Sequence, residues 1–409
     1  MLVEHCRLCG SSQLTPFLDL GFTALADRFI TREQLDEPEV TYPLTVQVCQ
    51  DCGFVHLRHV VPPEVLYCED YPYESSTTRT GRDHFNEFAE SMVDQLGLTG
   101  DDLAVDVGSN VGVLLDGFRR RGVRVMGVEP AANIAATAVA GGISTVNEFF
   151  STEVARRIRE EHGPARVVTA SNVFAHIDDK RAVMEALDAL LTDDGVFVIE
   201  APYLLHLLDQ LEYDTIYHEH LSYISLAPLV PFFERTGFEL FDVHHRTIHG
   251  GTVRLVIARN GARQVTEAVR ESLACEEAKG IHSLEGLRSF ALRVEANRAA
   301  LMDLLRSLKS RGKRIAAVSA PAKGMTLLNY CRIGDDLLEF VTEKSRLKLG
   351  RYTPGSHLPV RPDSALVEEG IDYALLLAWN FKEEIIRNLP EFREAGGRFI
   401  IPIPHPEII

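Results

Sequence analysis

The sequence predicts an α/β protein in which a small cysteine-stapled module precedes two successive units of alternating strands and helices. Three observations predict it. Two CxxC pairs, Cys6-Arg7-Leu8-Cys9 and Cys49-Gln50-Asp51-Cys52, stand near the start. From Leu103 onward, apolar runs of strand length alternate with amphipathic stretches, and a second strand–loop–helix series opens at Lys313. Such alternation implies a parallel sheet with helices on its faces. With 409 residues, 45% of them hydrophobic and 25% charged, the chain can bury a core in each of two or three domains.

The module comes first. Of the seven cysteines, four form the two pairs, and Cys68, Cys275 and Cys331 are isolated. In a reducing compartment, paired CxxC knuckles read as a tetrahedral zinc site. Gly10 and Gly53 follow the second cysteine of each pair, where a knuckle turn calls for positive φ. A thioredoxin-like redox motif would be a lone CxxC before a helix, and two matched pairs fit it poorly. Four thiolates leave no open coordination position, so the expected Zn2+ is structural. The strand-like TYPLTVQVCQ belongs to the same module, expected over residues 1–67.

A helical run from Arg82 to Leu96 leads into the first α/β unit, expected over 68–262. Its strands are LAVDVG, VRVMGVEP, ARVVTASNV and GVFVIEAP, with TVRLVIARN as a last strand of antiparallel type. The segment Thr266–Lys309 has helical period. It opens a third unit, 263–409, whose strands are KRIAAVS, LEFVTE, DYALLLA and GRFIIPI. No stretch approaches the ~20 apolar residues of a membrane span, and MLVEHCRLCG lacks a signal peptide's apolar run. A cytoplasmic monomer without membrane contacts is expected. The net charge of −17, from 59 acidic and 42 basic residues, argues against nucleic acid as a partner. An anionic small molecule stays compatible, because screening over ~8–10 Å lets a local basic pocket act alone.

The loop Val105-Asp106-Val107-Gly108-Ser109-Asn110-Val111-Gly112 lies between a strand and a helix. It lacks the GxGxxG of dinucleotide binders. Its DxGxxxG pattern, with Asp106, Gly108, Asn110 and Gly112, resembles the first motif of class I methyltransferases that use S-adenosylmethionine. The bland reading is a tight strand–helix turn of any α/β fold. Glu129 tips the balance: it closes the next strand, where a carboxylate can accept ribose hydroxyls. Asn147 and Phe149, after the third strand-like stretch, are placed to flank the adenine.

After GVFVIEAP, Tyr217-His218-Glu219-His220-Leu221-Ser222-Tyr223 concentrates proton-handling groups. A second cluster, Asn172-Val173-Phe174-Ala175-His176, lies at the end of ARVVTASNV. Both should face the ligand crevice at the carboxyl edge of the sheet. His-x-His as a metal pair lacks an evident third ligand, and His176 read alone could be a satisfied core histidine.

Taken together, the paired CxxC start, YPYESS, DVGSNVG, NVFAHID, YHEHLSY, SAPAKGMTLLNY, GRYTPGSHLPV and AWNFKEEI resemble, in that order, the sugar C-methyltransferases of antibiotic deoxysugar pathways. The likeness covers essentially the whole chain. It implies a zinc domain, a class I methyltransferase domain and a second Rossmann-like, substrate-binding domain. It also implies methylation at C-3 of a dTDP-4-keto-2,6-dideoxy sugar, with or without a 3-amino group. In that chemistry a base removes a hydrogen made acidic by the 4-keto group, donors hold the enolate oxygen, and the carbanion takes the methyl group. By resemblance His220 is the leading base, with Tyr217 and Tyr71 competing as acid, relay or base. Glu219 would orient the base or bind sugar, Asn172 and His176 would line the pocket, and Ser75 joins the cofactor residues. Lys323, in SAPAKG at a helix start, is placed for the substrate diphosphate. Arg351, Tyr352, Trp379 and Asn380 are further candidates for the substrate pocket, Trp379 either stacking on the thymine or merely packing. An O- or N-methyltransferase, or a non-catalytic adenosylmethionine-binding scaffold, are the rival readings.

Overall fold

A computed structural model describes residues 1–67, 71–72, 74–75 and 79–409. Cys68, and Tyr73 and Ser76 of the YPYESS segment, lie outside the described residues. Three sheets organise the chain. The middle one has seven strands, in the order Phe238–Arg246, Thr252–Arg259, Leu191–Pro202, Ala165–Ser171, Leu103–Val107, Arg124–Val128 and Thr145–Val146. The last five run parallel, and Thr252–Arg259 is antiparallel to both its neighbours. Strand order reverses between Leu103–Val107 and Ala165–Ser171, so the ligand crevice opens beyond the carboxyl ends of these two.

The strands are Val-, Ile- and Ala-rich because helices cover both faces. Helix Arg79–Leu96 buries Phe88, Ala89, Met92 and Val93. It meets helix Val113–Arg120 at Gly117, where a Cβ would fall 2.7 Å from that of Ala89. One charged group lies beneath this layer. Glu200 accepts two bonds from Arg254, at 2.8 and 2.7 Å, and faces His84 Nε2 at 2.5 Å. The Arg254 guanidinium also sits 3.6 Å from the centre of the Phe88 ring. A buried pair of this kind persists only because its remaining polar atoms are satisfied.

The N-terminal sheet is antiparallel and comprises Leu14–Thr23, Tyr42–Cys49, Val55–Leu57 and Ser222–Tyr223. Its fourth strand is borrowed from the YHEHLSY segment, which ties the cysteine module to the central unit. The C-terminal sheet runs Val360–Arg361, Val341–Thr342, Ile315–Val318, Tyr373–Leu376, Arg398–Ile401, Glu407–Ile408, parallel except for the last strand. The helical stretch before it is two helices, Glu267–Lys279 and Leu284–Ser310. Gly280, at φ +59°, ends the first, and the Ser283 hydroxyl caps the second. A single apolar cluster runs through all three sheets, from Val48 and Phe54 through Phe174 and Leu204 to Ile315 and Trp379. Among the described residues no helix is long and apolar enough to cross a membrane.

Candidate active site and metal centre

The cysteine knuckles close on each other. Cys6 and Cys52 Sγ are 3.6 Å apart, Cys9 and Cys49 Sγ are 3.5 Å apart, and all four sulfurs lie within 4.8 Å of one another. Zn–S bonds of about 2.3 Å at tetrahedral angles give sulfur–sulfur edges of roughly 3.8 Å, so the donor set fits one zinc ion of structural type. Gly10 and Gly53, at φ +76° and +77°, donate their N–H groups to the Cys6 and Cys49 carbonyls and turn each knuckle. Between the first two cysteines, Arg7 reaches out of the module. It donates to the Leu57 carbonyl at 2.9 Å and to Asp178 at 2.6 Å, two residues beyond His176.

The cofactor loop is shaped by backbone that only glycine adopts easily. Gly108 and Gly112 stand at φ +65° and +81°, and Asn110 at +50°. A Cβ on Gly108 would lie 2.4 Å from Val173 Cγ2, and one on Gly112 2.8 Å from Ile143 Cγ1. Asp106 is buried beneath the loop, accepts from the Thr169 hydroxyl at 2.5 Å, and is pushed up to about 7 by desolvation. Glu129 accepts from the amides of Asn110 and Ala131, each at 2.9 Å. Burial raises its pKa despite those bonds. Ser75 donates its N–H to Asn110 Oδ1 at 2.9 Å, and Asn133 Nδ2 donates to the Tyr71 carbonyl at 3.0 Å. Ser75 is thus tied to the glycine loop, and Tyr71 to the helix Ala132–Ala140. The Asn147 amide donates to the carbonyls of Glu129 and Pro130, at 2.8 and 2.9 Å, and so holds the backbone that presents Glu129. Phe149 stands 39% exposed at the rim.

Beyond the carboxyl ends of Ala165–Ser171 and Leu191–Pro202, five of the predicted proton-handling side chains converge. Tyr217 Oη and His220 Nε2 are 2.7 Å apart, and His220 Nδ1 is 2.7 Å from the Thr215 carbonyl. A carbonyl only accepts, so Nδ1 carries the hydrogen and Nε2 presents its lone pair to the Tyr217 hydroxyl. The His176 ring centre is 5.0 Å from that of His220. Tyr71 donates to Glu219 Oε2 at 3.1 Å. Glu219 is buried, and desolvation with the nearby Asp27 charge drives its pKa well above the carboxylate range. His176 is driven well below the usual imidazole value by burial and by His220 and Lys180. Both shifts favour the uncharged form of the side chain. Asn172 stands at φ +57°, with its N–H on the Glu200 carbonyl at 2.7 Å. His218 turns away from this cluster, 3.3 Å from the Tyr42 carbonyl in the cysteine module.

The residues expected to meet the substrate divide into two groups. Lys323 lies in the first turn of helix Ala322–Cys331, 4.5 Å from the centre of the Trp379 ring and 3.5 Å from Asp214. Trp379 is buried, and its indole N–H donates to Asp214 at 2.8 Å, so it packs inside the protein under the lysine. Asn380 follows it with a buried Oδ1 that has no hydrogen-bond partner among the described residues. Arg351 and Tyr352 meet the cysteine module instead. Arg351 donates to the Phe29 carbonyl at 3.3 Å, and Tyr352 exchanges backbone bonds with Ile30.

Several members of this neighbourhood carried no sequence signal. Tyr67 lies 3.2 Å from His176 Nδ1 and stacks on its ring at a 7° interplanar angle. Lys348 is buried between Asp27 at 3.3 Å and the Ala320 carbonyl at 2.8 Å, and its charge opposes that of Asp27 on Glu219. Glu343, at the end of Val341–Thr342, accepts from the Ala320 amide at 2.8 Å and the Ser345 amide at 3.1 Å. With Ser319 at φ +68°, this loop repeats the arrangement of Gly108 and Glu129 in the C-terminal unit. An acidic residue after a short strand is too common a pattern to notice without the fold.

A sheet of this order, a glycine loop after its first strand and a buried carboxylate after its second together define a class I methyltransferase. Family comparison agrees along the chain. A zinc binding domain matches residues 6–67, a methyltransferase domain 87–243, and a C-methyltransferase C-terminal domain 247–404. The chain is 40% identical over 408 residues to the C-methyltransferase NovU of Streptomyces niveus, covering 100% of this chain and 97% of that protein. It belongs to this family of adenosylmethionine-dependent C-methyltransferases. Solved structures give partial likenesses that bear on nothing further. Magnesium protoporphyrin IX methyltransferase of Synechocystis PCC 6803 has 14% identity, 46% of this chain and 90% of its own, and TM-score 0.36. A methyltransferase of Clostridium acetobutylicum has 11%, 44%, 92% and 0.36.

Proposed function

We propose that the enzyme methylates C-3 of a dTDP-linked 4-keto-2,6-dideoxy sugar, with Tyr217 and His220 removing the C-3 hydrogen. The pairing of the Tyr217 hydroxyl with a His220 imidazole whose Nδ1–H is already held by Thr215 carries this reading. It leaves one basic nitrogen, Nε2, aimed at one hydroxyl, which is the arrangement a proton relay needs. The Tyr217 oxygen takes the hydrogen as its own proton passes to His220 Nε2. Glu219, with Tyr71 donating to its Oε2, is the donor for the enolate oxygen at C-4, and His176 lines the same pocket. Bound adenosylmethionine, in the cradle of Asp106, Gly108, Asn110, Gly112, Glu129 and Ser75, supplies an electrophilic methyl group. Lys323 and Asn380 would face the diphosphate and nucleoside, with Arg351 and Tyr352 closing the pocket from the cysteine module. The division at 67 and 262 into zinc, methyltransferase and substrate-binding units is part of the same reading.

The test is methyl transfer to a panel of dTDP-4-keto sugars, with the product's methyl carbon located by NMR. A new C–CH3 at C-3 supports the proposal. A methyl on oxygen or nitrogen, or no consumption of cofactor with any keto sugar, would replace it with one of the two rival readings.

A further inference from the structure

We infer that Asp214 is a positioning residue through which the C-terminal unit sets the orientation of the His220 imidazole. The inference rests on His220 acting in proton removal, as proposed above. His220 Nδ1 is oriented by the Thr215 carbonyl at 2.7 Å. That carbonyl belongs to the single 3-10 turn Tyr213–Thr215, and so short a turn has little stability of its own.

The C-terminal unit supplies what the turn lacks. Tyr213 donates its hydroxyl to Asn297 Oδ1 at 2.8 Å, and Thr326 Oγ1 donates to the Ile216 carbonyl at 2.9 Å. Between these two clamps, Asp214 Oδ2 receives the Trp379 N–H at 2.8 Å and stands 3.5 Å from Lys323 Nζ. Asp214 is fully buried, and its other oxygen has no hydrogen-bond partner among the described residues. A buried carboxylate is tolerated only beside compensating charge and donors, so Asp214 cannot leave Lys323 and Trp379 without cost. The residue next to the His220 anchor is thereby fixed to the loop after Ile315–Val318 and to the loop after Tyr373–Leu376. Those are the two loops at which a nucleotide would meet the C-terminal sheet. Asp214 itself touches no reacting atom.

Two near-isosteric variants test this. Asp214→Asn keeps an acceptor for Trp379 and removes the charge beside Lys323, while Thr326→Val removes only the bond to the Ile216 carbonyl. Both are expected to lower kcat, Asp214→Asn by about tenfold or more, since small misplacements of a reacting group cost about that much. Adenosylmethionine affinity by calorimetry should stay at the wild-type value. The 15N signals of His220 should lose the Nδ1–H pattern of the wild type in part. If Asp214→Asn does not fold, Thr326→Val carries the test alone. Wild-type kcat with an unchanged His220 tautomer, or a change confined to the acceptor KM, would overturn the inference. His220→Asn, measured alongside, separates the two ideas: wild-type turnover in that variant would remove the base and leave nothing for Asp214 to position.

Discussion

Replacing Gly108 with alanine should weaken cofactor binding by at least about tenfold, and the structure gives the parts of that loss. At φ +65° an alanine pays roughly 1–2 kcal/mol for left-handed backbone. If the bound loop must keep this conformation, that alone is about a 5- to 30-fold loss of affinity. The new methyl would also lie 2.4 Å from Val173 Cγ2, far inside the 3.5–4.0 Å of a carbon–carbon contact. Val173 has little room to retreat, because the preceding residue is pinned by the 2.7 Å bond from the Asn172 N–H to the Glu200 carbonyl. The two contributions separate in a double variant. Gly108→Ala with Val173→Ala should recover the steric share and leave the backbone share, roughly fivefold or more. Isothermal titration with adenosylmethionine and its demethylated product reads both. Wild-type affinity in Gly108→Ala would show that this loop does not hold the cofactor, and the cradle would have to be sought elsewhere.

Other consequences are simpler to state. Protein purified without chelator should carry one zinc per chain, and removing it should lower Tm and loosen the Arg7–Asp178 contact. Amide hydrogen exchange across residues 172–180 reads that loosening, and unchanged protection there would uncouple the knuckles from the His176 loop. Burial pushes the Glu212 carboxyl up to about 7, against about 4.3 in an unfolded chain. Its contribution to stability is therefore present below about pH 4.3 and is lost as pH rises through about 7. Glu212→Gln should flatten that part of the urea-denaturation free energy against pH, and an unchanged slope would contradict the assignment.

Much of this architecture is legible in the chain because short-range patterns dictate it. The alternation from Leu103 onward specifies a parallel sheet, and TVRLVIARN does form its antiparallel strand. The two knuckles announce their sulfurs by spacing alone. The proton-handling cluster is legible in part: Tyr217 and His220 are three residues apart and meet directly. What joins them to the rest is not local. Tyr67, Asp27 and Lys348 reach the site from separate elements, through contacts that leave no period or motif. The partners of Asn147 and Trp379 are equally invisible in the chain: backbone carbonyls and a buried carboxylate distant in sequence accept their hydrogens. The helical period over Thr266–Lys309 is realised as two helices, divided at Gly280, whose left-handed backbone ends the first.

The measurement closest to the central proposal is exchange of the acceptor's C-3 hydrogen in D2O, followed by NMR with the demethylated cofactor bound so that no methyl can transfer. The wild-type enzyme should wash deuterium into C-3 of a dTDP-4-keto-2,6-dideoxy sugar. His220→Asn should bind cofactor normally and slow that exchange by about a hundredfold or more, as loss of a positioned base does. Exchange at the wild-type rate in His220→Asn, with its fold and cofactor affinity intact, would contradict the account.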